Sequence, residues 1–134
     1  MSVRYQYLAY KYTRRMRRDI SFAPVWEEYW LSAQETSMVW RPRTDMYETD
    51  KEIIIVMELA GVREDDMTIS LFTDLLVVEG QRRSPVADMN ACHQLGIKYG
   101  KFISEIDVHS AVNHENVIGT YQNGLLTITL KKVF

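Results

Sequence analysis

Cysteine is nearly absent: Cys92 stands alone in 134 residues, so no intrachain disulfide can form. No apolar core of a secretory signal follows the basic start, and together these suggest a reducing, cytoplasmic setting. There is no apolar run long enough to cross a bilayer. Local frames of catalysis are missing too, with neither a Gly-x-Ser-x-Gly turn nor a Gly-rich phosphate loop. Histidine occurs only at His93, His109 and His114. Cys92-His93 offers two ligands where a structural zinc needs four, and no second pair stands at the right spacing. His109 and His114 flank a turn and read as solvent-exposed. Glu64-Asp65-Asp66 lacks the ligand spacing of a calcium loop and reads as a solvated turn. The expectations are therefore no enzyme, no metal and no cofactor.

Net charge is small, −2, but it is divided. Residues 1–43 carry eight Lys/Arg against four Asp/Glu, and residues 44–134 carry eight against fourteen. In the basic third, Tyr5, Leu8, Tyr12 and Met16 fall at helical spacing, which predicts an amphipathic helix. Pro24 suits the first turn of a second short helix that puts Trp26 and Trp30 on one face. Trp26, Tyr29, Trp30 and Trp40 form an aromatic cluster that either caps the core or presents an adhesive surface. Arg14, Arg15, Arg17 and Arg18 among tyrosines would suit phosphates and stacked bases. The acidic remainder repels a polyanion, so nucleic acid is not expected as a partner, and the residual case for it rests on those four arginines.

Beyond Arg41-Pro42-Arg43 the pattern turns to strands. They are expected at 45–48, 53–57, 67–72, 75–79, 102–108, 117–121 and 125–130. The β-branched run Ile53-Ile54-Ile55-Val56-Met57 suggests burial on both faces. Residues 110–116 read as a connection. Residues 81–98 lose all periodicity, and so long a loop inside a domain points to function. Asn123-Gly124 is the letter code of a two-residue type I′ hairpin, followed by the alternating Leu126, Ile128 and Leu130. Short strands separated by turn signals predict an all-β fold, an antiparallel β-sandwich.

Four pieces in order resemble the small heat-shock protein, or α-crystallin domain, family over 44–130. Gly119-x-x-x-Asn123-Gly124-Leu125-Leu126 is similar to its Ala-x-x-x-Asn-Gly-Val/Ile-Leu signature. Leu59-Ala60-Gly61-Val62 with Asp66-Met67 is similar to its Leu-Pro-Gly-Val…Asp-Ile run. Asp45-Met46-Tyr47-Glu48-Thr49 resembles its first domain strand, and Tyr99-Gly100-x-Phe102 its Tyr-Gly-x-Phe. The resemblance implies an immunoglobulin-like sandwich and ATP-independent holding of unfolding proteins. It implies a bacterial-type dimer in which a loop strand, here Asn90, Ala91, Cys92, His93, Gln94 and Leu95, pairs with the partner's Asp45, Met46 and Tyr47. It also implies a docking groove between two strands, here lined by Met67, Ile69, Leu71, Val117, Gly119 and Tyr121. The chain departs from the family at Ser104, where Arg is frequent, and at His109, where Pro is usual. It has Lys131-Lys132-Val133-Phe134 in place of an Ile-x-Ile tail.

The resulting expectation has three parts: a basic aromatic segment over 1–43, an α-crystallin domain over 44–130, and a short tail over 131–134. The function expected is a holdase working as a homodimer or higher homo-oligomer on unfolding client proteins. Tyr7, Tyr10, Phe22, Trp26, Tyr29 and Trp30 are the expected client-binding residues. Ile20-Ser21-Phe22, or an equivalent N-terminal triplet, is expected in the groove, with Ile20 and Phe22 entering pockets. The alternatives are a self-assembling structural protein on the same sandwich and a CS-domain co-chaperone.

Overall fold

A computed structural model of the chain describes residues 39–133 and the backbone of residues 5–7. The strands are β1 (Tyr5–Tyr7), β2 (Thr44–Glu48), β3 (Glu52–Glu58), β4 (Met67–Leu71), β5 (Leu75–Arg82), β6 (Gly100–Asp107), β7 (Val112–Gln122) and β8 (Leu125–Lys132), with one 3-10 turn, Glu64–Asp66, before β4. Two sheets result, ordered β2-β3-β8-β7 and β1-β4-β5-β6. Neighbours pair antiparallel except β1, which runs parallel to β4. The expected all-β sandwich is what the chain forms.

The hairpin is built as its letters require. Asn123 and Gly124 have φ of 56° and 78°, and Gln122 pairs with Leu125 across the turn, the left-handed pair that a type I′ turn needs. From there the period of two sets the core. Leu126, Ile128 and Leu130 on β8 meet Ile53, Ile55 and Met57 on β3 across from Met67, Ile69 and Leu71 on β4 and Phe102 and Ile106 on β6, all buried in one cluster. Each such side chain contributes about 1.5–3 kcal/mol on burial. Ser104 sits among them, fully buried, and its hydroxyl has no hydrogen-bond partner among the described residues.

Four expectations change. The run on β3 is buried on one face only: Ile54 and Val56 are half-buried, since just one side of their sheet faces the core. The strand buried on both faces is β5, whose Leu75 and Val77 join Phe72 in a second cluster. Residues 110–116 are not simply a connection, because β7 starts at Val112 and carries a register irregularity before Val117. The polar letters Asn113, His114, Glu115 and Asn116 lie in that irregular stretch, where the alternation is broken. His114 is half-buried, its Nε2 3.2 Å from the Phe72 carbonyl oxygen, rather than solvent-exposed. Finally, Tyr5–Tyr7 is a strand and not the start of a helix. A Tyr-Gln-Tyr alternation suits the unpaired edge of β4. The rest of the expected helices lies outside the described residues.

Trp40 resolves its own alternative toward the core. It is 8% exposed, its ring centroid is 5.3 Å from that of Phe102, and its indole N–H donates to the Gly100 carbonyl. Its backbone N–H donates to the Lys101 carbonyl at 3.0 Å, and its carbonyl accepts from Ile103 at 3.1 Å. The far edge of β6 is thereby closed.

Gly80 marks a close approach of β5 to the backbone at the start of β4. A Cβ there would lie 2.0 Å from the Asp66 carbonyl oxygen and 2.9 Å from both Met67 Cα and Phe102 Cζ. Gly80→Ala should cost about 2–3 kcal/mol through overpacking and lower the melting temperature by roughly 10 °C, as read by circular dichroism.

Candidate functional site

A two-sheet sandwich has four edges, and unpaired main chain at an edge is a template for another strand. Here β6 is closed by Trp40, and β4 by β1. The outer edges of β2 and β7 have no strand paired to them among the described residues.

Inward, β2 pairs with β3 from Thr44↔Met57 to Glu48↔Ile53. Its adjacent residues Met46 and Tyr47 point to opposite faces and are 43% and 53% exposed. The Tyr47 hydroxyl donates to Asp45 Oδ2 at 2.9 Å, and that bond to the carboxylate holds the phenol above its usual range. Lys132 Nζ lies 2.7 Å from Glu48 Oε2 and ties the end of the strand to β8.

The loop over 83–99 contains no strand in the single chain. Asn90, Ala91, Cys92, His93, Gln94 and Leu95 are all exposed. Val86, Met89, Leu95 and Ile97 are apolar and more than half exposed, Leu95 reaching 82%. Cys92 Sγ is 3.1 Å from Met89 Sδ. No group of three or more metal-binding side chains exists among the described residues.

Two arginines pin this loop. Arg83 Nε and Nη2 each donate to an oxygen of Asp66 at 2.9 Å. That hydrogen bond holds the Asp66 carboxyl below the ordinary carboxylate range. The sign follows: the pair's contribution is complete at neutral pH and is lost as pH falls through the lowered value. Arg82 donates to the Lys98 carbonyl from Nε and Nη2, at 2.9 and 2.7 Å, and to the Ala60 carbonyl from Nη1 at 3.2 Å. Its guanidinium lies 4.4 Å from the Trp40 ring centroid and 5.7 Å from that of Tyr99. A basic cleft of about 430 Å³ opens beside it, lined by Trp40, Arg41, Arg43, Arg82, Ile97 and Lys98 among others, with Glu58 the one acid. Sequence reasoning missed Arg82. The signal was an Arg-Arg pair where a strand gives way to a loop, but its partners lie 16 and 22 residues away.

The anticipated groove has two walls. Met67, Ile69 and Leu71 are buried on β4, while Val117, Gly119 and Tyr121 are half-buried on β7. Tyr121 donates its hydroxyl to the Leu59 carbonyl. The edge of β4 is taken by β1 in the register Tyr5↔Ile69, Gln6↔Ser70, Tyr7↔Leu71, and β1 also lies against β7. Of the named client-binding residues Tyr7 is in β1; Tyr10, Phe22, Trp26, Tyr29 and Trp30 lie outside the described residues, as does Ile20.

Residues 45–133 match the family model of the Hsp20/alpha crystallin family. The chain belongs to that family. Small heat shock protein C2 of Rickettsia felis is 27% identical over 124 residues, which cover 89% of this chain and 79% of that protein. Heat shock protein 16.0 from Schizosaccharomyces pombe superposes with a TM-score of 0.65 at 23% identity, over 70% of this chain and 88% of that one. The hspA structure from Xanthomonas axonopodis gives 0.64 at 20% identity, over 69% and 94%. At such identities the two structures show the fold. Small heat shock proteins are chaperones and not enzymes, so family membership supports a chaperone role. No helix among the described residues is long and apolar enough to cross a membrane. The Hsp20 match starts within the open β2 strand and runs through the pinned loop to the end of β8.

Arg82→Ala in this Hsp20 chain should free the root of the loop. It removes three main-chain hydrogen bonds, worth about 1–2 kcal/mol together after discounting for solvent. Timed proteolysis should then cut within 83–99 several-fold faster while the sandwich still melts cooperatively; unchanged cutting would show that the loop is held elsewhere.

Proposed function

We propose that this chain is an ATP-independent holdase, binding partly unfolded proteins and keeping them from aggregating, as a strand-exchanged dimer or a larger oligomer. The observation that carries this reading is an open β2 edge on the same sandwich as a long loop bearing exposed apolar residues. In the proposed dimer, residues 90–95 of one copy pair with Asp45, Met46 and Tyr47 of the other. Main chain satisfies main chain, and the exchange turns an aggregation liability into an interface. Leu95 and Met46 lose solvent in the process.

Client binding follows from the chemistry of the aromatic segment. An unfolding protein exposes apolar surface, and burying it against Tyr7, Tyr10, Phe22, Trp26, Tyr29 and Trp30 yields roughly 25 cal/mol per Å². Nucleotide is not required, because capture of unfolded chains lowers their free concentration by mass action. Aromatic side chains suit the task, giving large contact area with few torsions to fix.

The test uses light scattering of a heat-labile client. The full chain should suppress aggregation equally with and without ATP. With Tyr10, Phe22, Trp26, Tyr29 and Trp30 all changed to Ser in the full chain, half-protection should need roughly tenfold more protein, equivalent to about 1.4 kcal/mol of lost affinity. Equal protection by both would remove the aromatic segment from the mechanism.

A further inference from the structure

The sheet β1-β4-β5-β6 has a second face, turned away from the core. On β5, Leu76 and Val78 point into the main cluster, so Leu75 and Val77 point outward. Yet Leu75 and Val77 are each only 1% exposed, and they form a cluster with buried Phe72. Among the described residues, half-buried Ile103 of β6 is the apolar side chain packed against that cluster. The bare face of a sheet does not bury its side chains so completely, and a further layer has to lie over it. Around this patch the face is acidic. Leu75 is paired with Asp107, Val77 with Glu105, and Glu79 with Ile103, and residues directly opposite in an antiparallel pair share a face. Apolar side chains and carboxylates therefore alternate across β5 and β6.

The chain meets this sheet at two opposite edges. β1 lies beyond β4, and Trp40 bridges Phe102 in parallel beyond β6. Both run in the direction that β4 and β6 share. A crossover between parallel strands of one sheet passes over one of its faces. The inner face is filled by the other sheet, so the outward face is the direct route. Between Tyr7 and Val39 stand 31 residues. Four strand spacings, about 19 Å, separate the two edges, and even a fully helical segment of that length reaches about 46 Å. The charge fits as well: residues 8–18 hold Lys11, Arg14, Arg15, Arg17 and Arg18 and no acid.

We propose that the outward face of β5 and β6 is the docking surface for residues 8–38 of the same chain. The basic run lies over Glu79, Glu105 and Asp107, and apolar side chains of the segment lie over Leu75, Val77 and Ile103. Apolar burial holds the segment, and the carboxylates set its place, since opposite charges fix the register of a contact more than they strengthen it. The division of charge along the chain thereby becomes a contact within it. This docking depends neither on client binding nor on the β2 dimer.

The test is timed trypsin digestion of full-length chains, with cutting after Arg14, Arg15, Arg17 and Arg18 followed by mass spectrometry. A neutralised variant carries Glu79→Gln, Glu105→Gln and Asp107→Asn together. These side chains are exposed or half-buried, so its sandwich should melt as the wild type does. A second variant carries Leu75→Thr and Val77→Thr. Cutting at the four arginines should be at least several-fold faster in each variant than in the wild type. Should the second variant fail to melt cooperatively, the neutralised one decides alone. Wild-type arginines cut as fast as those of the neutralised variant overturn the proposal. An equimolar mixture of wild-type and neutralised copies, one of them isotopically labelled, identifies the occupant. Each copy should keep the rate it has alone, because each segment sits on its own sandwich. Rates that converge to a common value would put the segment on another copy and overturn the assignment.

Discussion

An unpaired backbone group at a sheet edge has to find a partner, and this constraint organises the molecule. A hydrogen bond in solution contributes only about 0.5–1.5 kcal/mol net, yet a whole row of open groups is a standing invitation to another strand. The fold answers it differently at each edge. Trp40 closes β6 by two main-chain bonds while its ring enters the core against Phe102. A three-residue strand from far away in sequence closes β4. β2 and β7, the two edges of the other sheet, carry no further strand among the described residues, and β2 holds two large side chains, Met46 and Tyr47, in solvent.

The core supplies rigidity, and the function proposed for the chain draws on what the core leaves out. Leucine, isoleucine, methionine and phenylalanine from both sheets pack into one cluster, and the Asp66 carbonyl and Met67 backbone approach β5 so closely that Gly80 has no room for one methyl group. Against that fixed body, the loop over 83–99 stands with its apolar residues turned outward. It is not loosely attached. Arg83 grips Asp66 at one root, and Arg82 grips Lys98 and Ala60 at the other while stacking on Trp40. The arginine that anchors the loop thus rests on the tryptophan that closes β6, coupling the loop to an edge seal.

How much of this was legible depended on distance along the chain. The Asn123-Gly124 hairpin could be read outright, because two adjacent residues carry the whole demand for positive φ. Strands β4, β6 and β8 were legible through their period of two. The β3 run was over-read: five apolar letters look alike whether one face or both are covered, and only the sheet's place in the sandwich decides. The start of β7 was under-read, since its irregular stretch interrupts alternation with Asn113, His114, Glu115 and Asn116. Arg82 escaped because its partners lie 16 and 22 positions away, and Trp40 was legible only as core cap or adhesive surface because its partners lie 60 and 62 positions away, though Arg41-Pro42-Arg43 correctly marked where the extended chain begins. Tyr5–Tyr7 looked helical beside Leu8 and Tyr12. Edge pairing outranked that local spacing, as tertiary contacts commonly outrank propensity.

The central claim is that β2 is held open for another copy. Residue-resolved amide hydrogen exchange over a range of protein concentrations tests it most directly, because exchange reports whether each main-chain N–H is bonded. The account predicts that outward-facing amides of Thr44–Glu48, together with those of residues 90–95, gain protection jointly as concentration rises, while amides in the β3–β8 ladder stay protected throughout. Outward β2 amides that exchange equally fast at every concentration would contradict it.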